Sequence, residues 1–350
     1  MSWRAIDELR PSFEATKSLL FPFDLRRWLV LAVIVFFVSG ASGANPDIST
    51  TAWDAPPEEA PVFEPPIISE PPILPEIGLA WILFAFGFVL AIGLVLLLLG
   101  AIMEFVFVRV VTDRDIRLRG YVSENVRNGV SLFLFRIAIG LGVLALVALP
   151  AIVLFLLSPI LLVLLAIVLV PILVLVAIGL WVVLRFTADF VVPIMVLEDV
   201  GILEAWGKLW PALVADWKQY GVYALARIFL GIVASVLAGF GFVVIGIVLG
   251  IPFGIIAAAV YLVFEVLLGM LTIAIVSLIG LGVLYLILVF IAGITFVQVP
   301  IQTYLRYYSL FVLGSVTPPF DMVAPLRPME TDVDEVSESN GSESGDSEDT

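Results

Sequence analysis

Residues 78–103, GLAWILFAFGFVLAIGLVLLLLGAIM, contain no charged side chain and decide the fold class. An α-helix rises 1.5 Å per residue, so about 20 apolar residues cross the roughly 30 Å of hydrocarbon in a bilayer. Lipid offers no hydrogen-bond partner to an open backbone, so such a run must be helical. Similar runs on both sides predict an all-α integral membrane protein with about six transmembrane helices, at 26–43, 78–103, 132–157, 160–185, 221–249 and 278–303.

The overall composition indicates the same class. Of the 350 residues, 62% are hydrophobic and 14% are charged, which is more apolar surface than a soluble domain can bury. The chain contains no His and no Cys, which excludes imidazole and thiol catalysis and the common zinc, haem and iron–sulfur ligand sets. We therefore predict that the protein is not an enzyme and has no catalytic, cofactor-binding or metal-binding residues.

The negative net charge of the chain comes mainly from two segments. Residues 44–76 hold seven acidic residues, no basic residue and nine prolines, whereas residues 321–350 hold ten acidic residues and one Arg. We predict an extended loop without a core for the first and a disordered tail for the second. Acidic segments in a chain with only three Lys are also typical of salt-loving archaea, where salt screens the repulsion. An ordinary acidic tail is the alternative.

The basic residues near the span ends predict the orientation, because Arg and Lys are enriched in cytoplasmic loops. Segment 44–76 has no basic residue. The basic residues precede the first span or occupy the connections after the second and fourth spans: Arg4, Arg10, Lys17, Arg26, Arg27, Arg109, Arg114, Arg117, Arg119, Arg127, Lys208 and Lys218. Both termini are therefore predicted to be cytoplasmic in a cell membrane.

This topology divides the chain into five parts. They are a cytoplasmic amphipathic helix at 1–25, a transmembrane helix at 26–43, an extracellular Pro-rich loop at 44–76, a helical membrane domain at 77–317 and a cytoplasmic tail at 318–350. The alternative for the first span is a cleaved secretory signal that ends near Ser42-Gly43-Ala44.

Residues 250–277 are long enough for a further span, but their composition argues against one. The sequence GIPFG at 250–254 predicts a helix break, and Glu265 would lie near the middle of the bilayer, where a charge is costly. A seventh span would also place the tail outside. We therefore expect a re-entrant or surface-lying helix on the outer side.

Partly polar helices precede each predicted pair of spans, which indicates three helical hairpins with cytoplasmic interfacial helices. The span ends Val192-Pro193-Ile194 and Val299-Pro300-Ile301 resemble each other, so a threefold internal repeat is predicted, with chance similarity as the alternative. The third polar helix carries a regular apolar face: Leu203, Trp206, Trp210, Leu213 and Trp217. Three Trp on one face predict a helix in the inner headgroup region, as an anchor or a docking surface.

Two further stretches carry a family resemblance. FVVPIMVLEDVGILEAW at 190–206 and YLRYYSL at 304–310 resemble a family of uncharacterised haloarchaeal multi-pass membrane proteins. More distantly, the chain is similar to the membrane domain joined to some glycerophosphodiester phosphodiesterases. The resemblance implies a multi-pass helical fold and no catalytic activity, because the phosphodiesterase chemistry belongs to a separate barrel domain that is not found in these 350 residues.

One group of polar residues is the candidate site. Its members come from five predicted spans and lie within about two turns of the cytoplasmic helix ends: Glu104, Arg109, Arg136, Arg185, Asp189, Arg227, Gln302 and Arg306. An unpaired charge in hydrocarbon costs about 2.5–3.5 kcal/mol, so we expect Glu104 and Asp189 to pair with some of these arginines. The excess Arg would then hold an anionic lipid headgroup. The alternative is that each Arg extends separately to the interface.

Two function classes remain from the sequence. The first is a non-enzymatic membrane protein that acts as a scaffold or interacts with lipids, and the second is a transporter or channel for an unidentified solute that uses charges among the helices. The predicted partners are membrane lipids, especially anionic ones, and no nucleic acid. Solute flux in reconstituted vesicles distinguishes the two classes.

Overall fold

The computed structural model describes residues 4–41, 79–115, 117–157 and 159–327, and every regular element in these ranges is helical. The predicted outer loop at 44–76, the signal-cleavage position and the tail from residue 328 lie outside the described residues. Nothing in the structure therefore bears on those three predictions.

The N-terminal part forms three helices, α1 (Arg4–Asp7), α2 (Leu9–Leu20) and α3 (Leu25–Ala41). Helix α2 packs along the helix at Val299–Val316, and α3 packs against the helix at Leu79–Asp113. Helix α3 begins where the carboxylate of Asp24 accepts a hydrogen bond from the backbone N–H of Arg26 at 2.9 Å. This contact satisfies one of the donors that every helix N-terminus leaves open.

The next four helices are α4 (Leu79–Asp113), α5 (Leu118–Leu157), α6 (Pro159–Phe186) and α7 (Val192–Glu198), with a π-helical turn at Thr187–Val191 joining the last two. Neighbours along the chain pack together, α4 on α5 and α5 on α6. Helix α4 has 35 residues and so is about 52 Å long, which exceeds the roughly 30 Å of a hydrocarbon core. Its polar end, from Glu104 onward, therefore extends to or beyond the membrane surface.

The C-terminal part contains α8 (Ile202–Ala215), α9 (Trp217–Tyr261), α10 (Leu271–Gly293) and α11 (Val299–Val316). Further π-helical turns lie at Leu262–Leu267 and Ile294–Gln298, and two short 3-10 turns follow α11 at Pro318–Phe320 and Ala324–Leu326. The chain reverses between α9 and α10 at Gly269, whose φ of 62° favours glycine.

The predicted helix break at 250–254 is wrong, and no separate re-entrant helix occupies 250–277. Helix α9 continues through Pro252, and the segment is divided between the end of α9 and the start of α10. Tyr285 joins α10 to this part of α9, since its hydroxyl donates to the carbonyl of Gly246 at 2.9 Å and lies beside Gly250. Glu265 belongs to the π-helical turn just before the reversal, so it does not lie at the middle of a span.

Five helical stretches of the described residues are long and apolar enough to cross a membrane: Trp81–Asp113, Leu118–Pro150, Val170–Glu198, Trp217–Leu267 and Leu271–Val316. Each corresponds to a predicted span from the second to the sixth. Helix α3, at the predicted first span, has 17 residues, and the count of six stays a prediction. In the most apolar part of Trp81–Asp113, 0% of the residues are buried within the protein. The exposed apolar side chains of this helix therefore need an apolar medium, such as lipid, around them.

The protein's own core lies at the polar end of the long helices. One apolar cluster joins Phe105, Phe190, Tyr223 and Tyr308 across four elements. A second cluster packs Trp28 and other residues of α3 against α4 and α11. These two clusters hold the helix ends close enough for long side chains to meet between them.

Candidate functional site

Six charged residues form what we call the charged layer, on helix ends that the two apolar clusters also join. They are contributed by α4, α5, α6, the π-helical turn after α6, α9 and α11: Glu104, Arg136, Arg185, Asp189, Arg227 and Arg306. Each of these side chains is at most 9% exposed. Charges this deep in a protein are stable only when they are paired and hydrogen-bonded.

The Glu104 carboxylate is the first centre of the layer. Arg136 Nη2 donates to Glu104 Oε2 at 2.5 Å, and Arg306 Nη2 lies 3.5 Å from Glu104 Oε1. Because the two arginines approach different carboxylate oxygens, one acid joins α4 to both α5 and α11.

The Asp189 carboxylate is the second centre. Its Oδ2 atom accepts a hydrogen bond from Arg185 Nε at 2.8 Å and another from the Tyr223 hydroxyl at 2.7 Å. Arg227 Nε lies 3.5 Å from the same oxygen. Asp189 therefore connects the end of α6 with two positions one turn apart on α9.

Arg306 links the two centres through the backbone. Its Nη1 atom donates to the carbonyl oxygen of Ala188 at 2.7 Å, beside Asp189, while its Nη2 atom faces Glu104. In an α-helix the Ala188 carbonyl would accept the N–H of Val192. In the π-helical turn that N–H bonds to the carbonyl of Thr187, so the Ala188 carbonyl is free to accept from Arg306. The residue after Val192 is Pro193, which has no N–H to donate.

The same local structure recurs before α11. The N–H of Val299 bonds to the carbonyl of Ile294, and Pro300 follows, as Pro193 follows Val192. Both π-helical turns therefore precede a Val-Pro-Ile sequence, whose similarity was visible in the sequence. A proline within a helix removes one backbone donor, and the wider turn accommodates this loss.

Two predicted site residues stand apart from the ion pairs. Arg109 is half-buried one and a half turns beyond Glu104, and its Nε atom has no hydrogen-bond partner among the described residues. Gln302 lines a small cavity within the layer, together with Arg185, Arg227 and Arg306. The volume of this cavity is about 20 Å³. A phosphate headgroup has several heavy atoms and does not fit a void that holds about one water.

Sequence reasoning missed two contributors to the layer, the Tyr223 hydroxyl and the Ala188 carbonyl. Tyr223 precedes Arg227 by four residues, and this spacing places both on the same face of α9, so the helical period was an available signal. The Ala188 carbonyl could have been inferred only from the effect of Pro193 on the turn before it.

A second feature is an open cleft with a volume of about 340 Å³ between the N-terminal ends of α3 and α5. It is lined by Arg26, Arg117 and Arg119 with the apolar Val30 and Leu118. Arg117 Nε lies 2.7 Å from a carboxylate oxygen of Asp115, two residues earlier in the chain. Three guanidinium groups and one carboxylate leave this cleft, which we call the arginine cleft, with a net positive charge.

Helix α8 presents two sides. Ile202, Ala205 and Leu209 are buried, whereas Trp210 of α8 and Trp217, the first residue of α9, are 59% and 64% exposed. Lys208 forms ion pairs with Glu198 and Glu204, and its hydrogen bond to Glu198 is the main reason that the pKa of Lys208 is raised. The predicted Trp face is thus only partly available to an outside partner.

Trp206 belongs to the part of that face that turns inward. Its Nε1 atom donates to the Thr187 hydroxyl at 3.2 Å, so this indole packs against the π-helical turn after α6. The contact fixes α8 beside the charged layer.

Long apolar helices that meet in a buried charged layer at their polar ends define a multi-pass helical membrane protein. The model of a family of unknown function, DUF7544, matches residues 3–323, and the chain belongs to that family. No curated protein and no solved structure matches the chain. The family description names neither an organism nor a phosphodiesterase, so the haloarchaeal origin and the phosphodiesterase resemblance stay predictions.

Proposed function

We propose that the protein is a non-enzymatic scaffold of the cell membrane that binds anionic lipid at the inner leaflet. The observation that carries this proposal is the arginine cleft. Its three arginines lie at the start of a membrane-spanning helix and beside exposed apolar side chains of α3, Leu29 and Val33. This combination suits a ligand with an anionic head and an apolar tail.

The spacing along α3 supports the assignment. Arg26, Leu29, Val30 and Val33 follow a three- or four-residue interval, so they lie on one face of the helix. A phosphate bound between the arginines would place acyl chains along the apolar part of that face. Arg is suited to this role because its planar guanidinium donates two parallel hydrogen bonds to phosphate oxygens.

Exposed Trp residues in α8 and at the start of α9 support the same membrane surface. Trp210 and Trp217 carry a polar N–H on a large apolar ring, which favours the region between headgroups and acyl chains. Lys208 and Lys218 are placed to face anionic headgroups from this helix and from the start of α9. We therefore propose that α8 is an interfacial anchor.

Lipid retention tests the proposal. Replacing Arg26, Arg117 and Arg119 together by Gln is expected to lower the affinity for an anionic lipid about a hundredfold, because each Arg near an anionic surface contributes about 1 kcal/mol. The measurement is mass spectrometry of the detergent-purified protein after incubation with mixed phosphatidylglycerol and phosphatidylcholine.

A matched control removes the same amount of charge elsewhere. Arg10, Lys17 and Arg127 are exposed and do not line the arginine cleft, so their triple Gln variant should retain the anionic lipid. Equal retention by the wild type and both variants would reject the cleft as a lipid site.

We also propose that both termini face the cytoplasm. The chain has no Cys, so single cysteines placed at Ala60, Leu118 and Asn340 report topology without background labelling. We expect a membrane-impermeant thiol reagent to label the first position in intact cells and to label the other two only after lysis. Labelling of position 340 in intact cells would contradict the even number of spans.

Transport of a solute is the second candidate function. The observation that favours it is the presence of buried arginines between helices, which in membrane proteins often mark a pathway for ions. Reconstituted vesicles loaded with an anion-sensitive dye separate the two functions. A protein-dependent flux that Arg227→Gln abolishes would favour transport, and the same leak with and without protein would favour the scaffold.

A further inference from the structure

The charged layer has an unbalanced charge. It contains two carboxylates, Glu104 and Asp189, and four guanidinium groups, so its formal net charge is +2. Arginine remains protonated in proteins, so the excess is not removed by loss of a proton. An excess of buried positive charge is costly unless an anion accompanies it.

The unsatisfied hydrogen-bond donors of the layer are also concentrated on arginine. Arg227 Nη2 is buried and makes no hydrogen bond among the described residues, and Arg227 Nε forms an ion pair with Asp189 Oδ2 at 3.5 Å but no hydrogen bond. Arg136 Nη1 is likewise buried without a partner there. Arg227 is 5% exposed, so bulk water does not supply the missing acceptors.

Arg227 lines the cavity of about 20 Å³ that Arg185, Arg306 and Gln302 also line. A void of this size holds about one water-sized particle. The carboxylates of Glu104 and Asp189 line the same cavity, so three guanidinium groups and two carboxylates, with a net charge of +1, surround a space for a single small acceptor. A water would accept from at most two donors and would leave the charge unchanged, whereas a halide ion accepts from several donors and removes one positive charge.

We propose that this cavity binds a monatomic anion of the halide class, with Arg227 as its principal ligand. Arg185, Arg306 and the side-chain amide of Gln302 offer further donors, and the carboxylates of Glu104 and Asp189, which also line the cavity, balance two of the three guanidinium charges. The ion would join α6, α9 and α11 at the point where the two carboxylate centres meet, and would therefore stabilise the folded bundle. This inference is independent of the lipid site, which lies in the arginine cleft and involves none of these residues.

The first test is the melting temperature of the detergent-purified protein in sodium chloride, bromide, phosphate or gluconate at one ionic strength. A ligand that binds only the folded protein stabilises it in a saturable way. We expect chloride and bromide to raise the melting temperature by several degrees over gluconate, with saturation, and phosphate to match gluconate. Equal melting in chloride and gluconate would overturn the proposal, and so would a phosphate effect equal to that of chloride.

Variants then assign the site. Arg227→Gln should abolish the difference between chloride and gluconate, and Gln302→Leu should reduce it while leaving the charge of the layer unchanged. Arg10→Gln, at an exposed position on α2, should behave as the wild type. A halide effect that persists undiminished in Arg227→Gln would place the ion elsewhere and reject the assignment.

A measurement on the wild-type protein tests the proposal even if the variants fail to fold. Chloride-35 nuclear magnetic resonance should show a broadened line in the presence of the protein, and bromide should reverse the broadening by competition. Absence of protein-dependent broadening across the chloride range used for melting would overturn the proposal.

Discussion

Replacing Asp189 by Asn is expected to lower the free energy of unfolding by about 3–5 kcal/mol, the typical cost of removing one partner of a buried ion pair. Asp189 is 3% exposed and receives hydrogen bonds from both Arg185 and Tyr223. The Asn side chain has nearly the same shape, so packing is retained. What is lost is the negative charge that holds Arg185 and Arg227 in the core.

Thermal and denaturant unfolding in detergent micelles measure this effect. Asp216→Asn is the matched control, because Asp216 is exposed between α8 and α9 and its side chain makes no cap hydrogen bond there. That variant should change the unfolding free energy by less than about 0.5 kcal/mol. Equal, small effects of the two substitutions would show that the Asp189 centre contributes nothing to stability.

The second large effect is expected at Glu104. Glu104→Gln leaves Arg136 and Arg306 without their carboxylate, at a cost of about 3–5 kcal/mol. Arg136→Gln in the same chain removes one of the uncompensated charges, so the double variant should lose less stability than the sum of the two single losses. We expect a coupling free energy of about 1–3 kcal/mol from this double-mutant cycle.

An exposed ion pair of the same protein is the control cycle. Arg10 Nε and Glu14 Oε1 are 3.1 Å apart on α2, with side chains 89% and 54% exposed. Solvent and salt screen such a pair, so its coupling should be about 0.3–0.5 kcal/mol. If the Glu104–Arg136 coupling is no larger than this, the arginines extend separately to the interface, as in the alternative interpretation of the sequence.

Several features of the fold could be predicted from the sequence because they depend on local composition. An apolar run long enough to cross a bilayer is visible without any knowledge of its neighbours, so the helical membrane class and the approximate positions of five long helices followed directly. The helix break at 250–254 was predicted wrongly because Gly and Pro were given the meaning that they have in soluble helices. In α9 the helix continues through Gly250, Pro252 and Gly254, and Tyr285 of α10 packs beside Gly250.

The members of the candidate site could be proposed from sequence only as a group. A charge near a helix end is a local property, and the apolar runs indicated which ends lie at the same surface. Whether two such side chains meet depends on the rotation of each helix about its axis, which packing decides. Arg109 and Arg306 illustrate the difference, since Arg306 forms an ion pair with Glu104 at 3.5 Å, whereas Arg109, also in the described part of the chain, forms no ion pair with Glu104.

By itself, then, the sequence determined the class of the protein, its long apolar helices and the end of the bundle where charge collects, because hydrophobicity and charge are properties of short segments. Only the tertiary structure decided which Arg pairs with which acid, that Ala188 offers a carbonyl to Arg306, and that a water-sized cavity lies beside Arg227. The physical reason is distance. Ion pairs and hydrogen bonds act over a few ångströms, and residues far apart in the chain reach that range only when the helices pack.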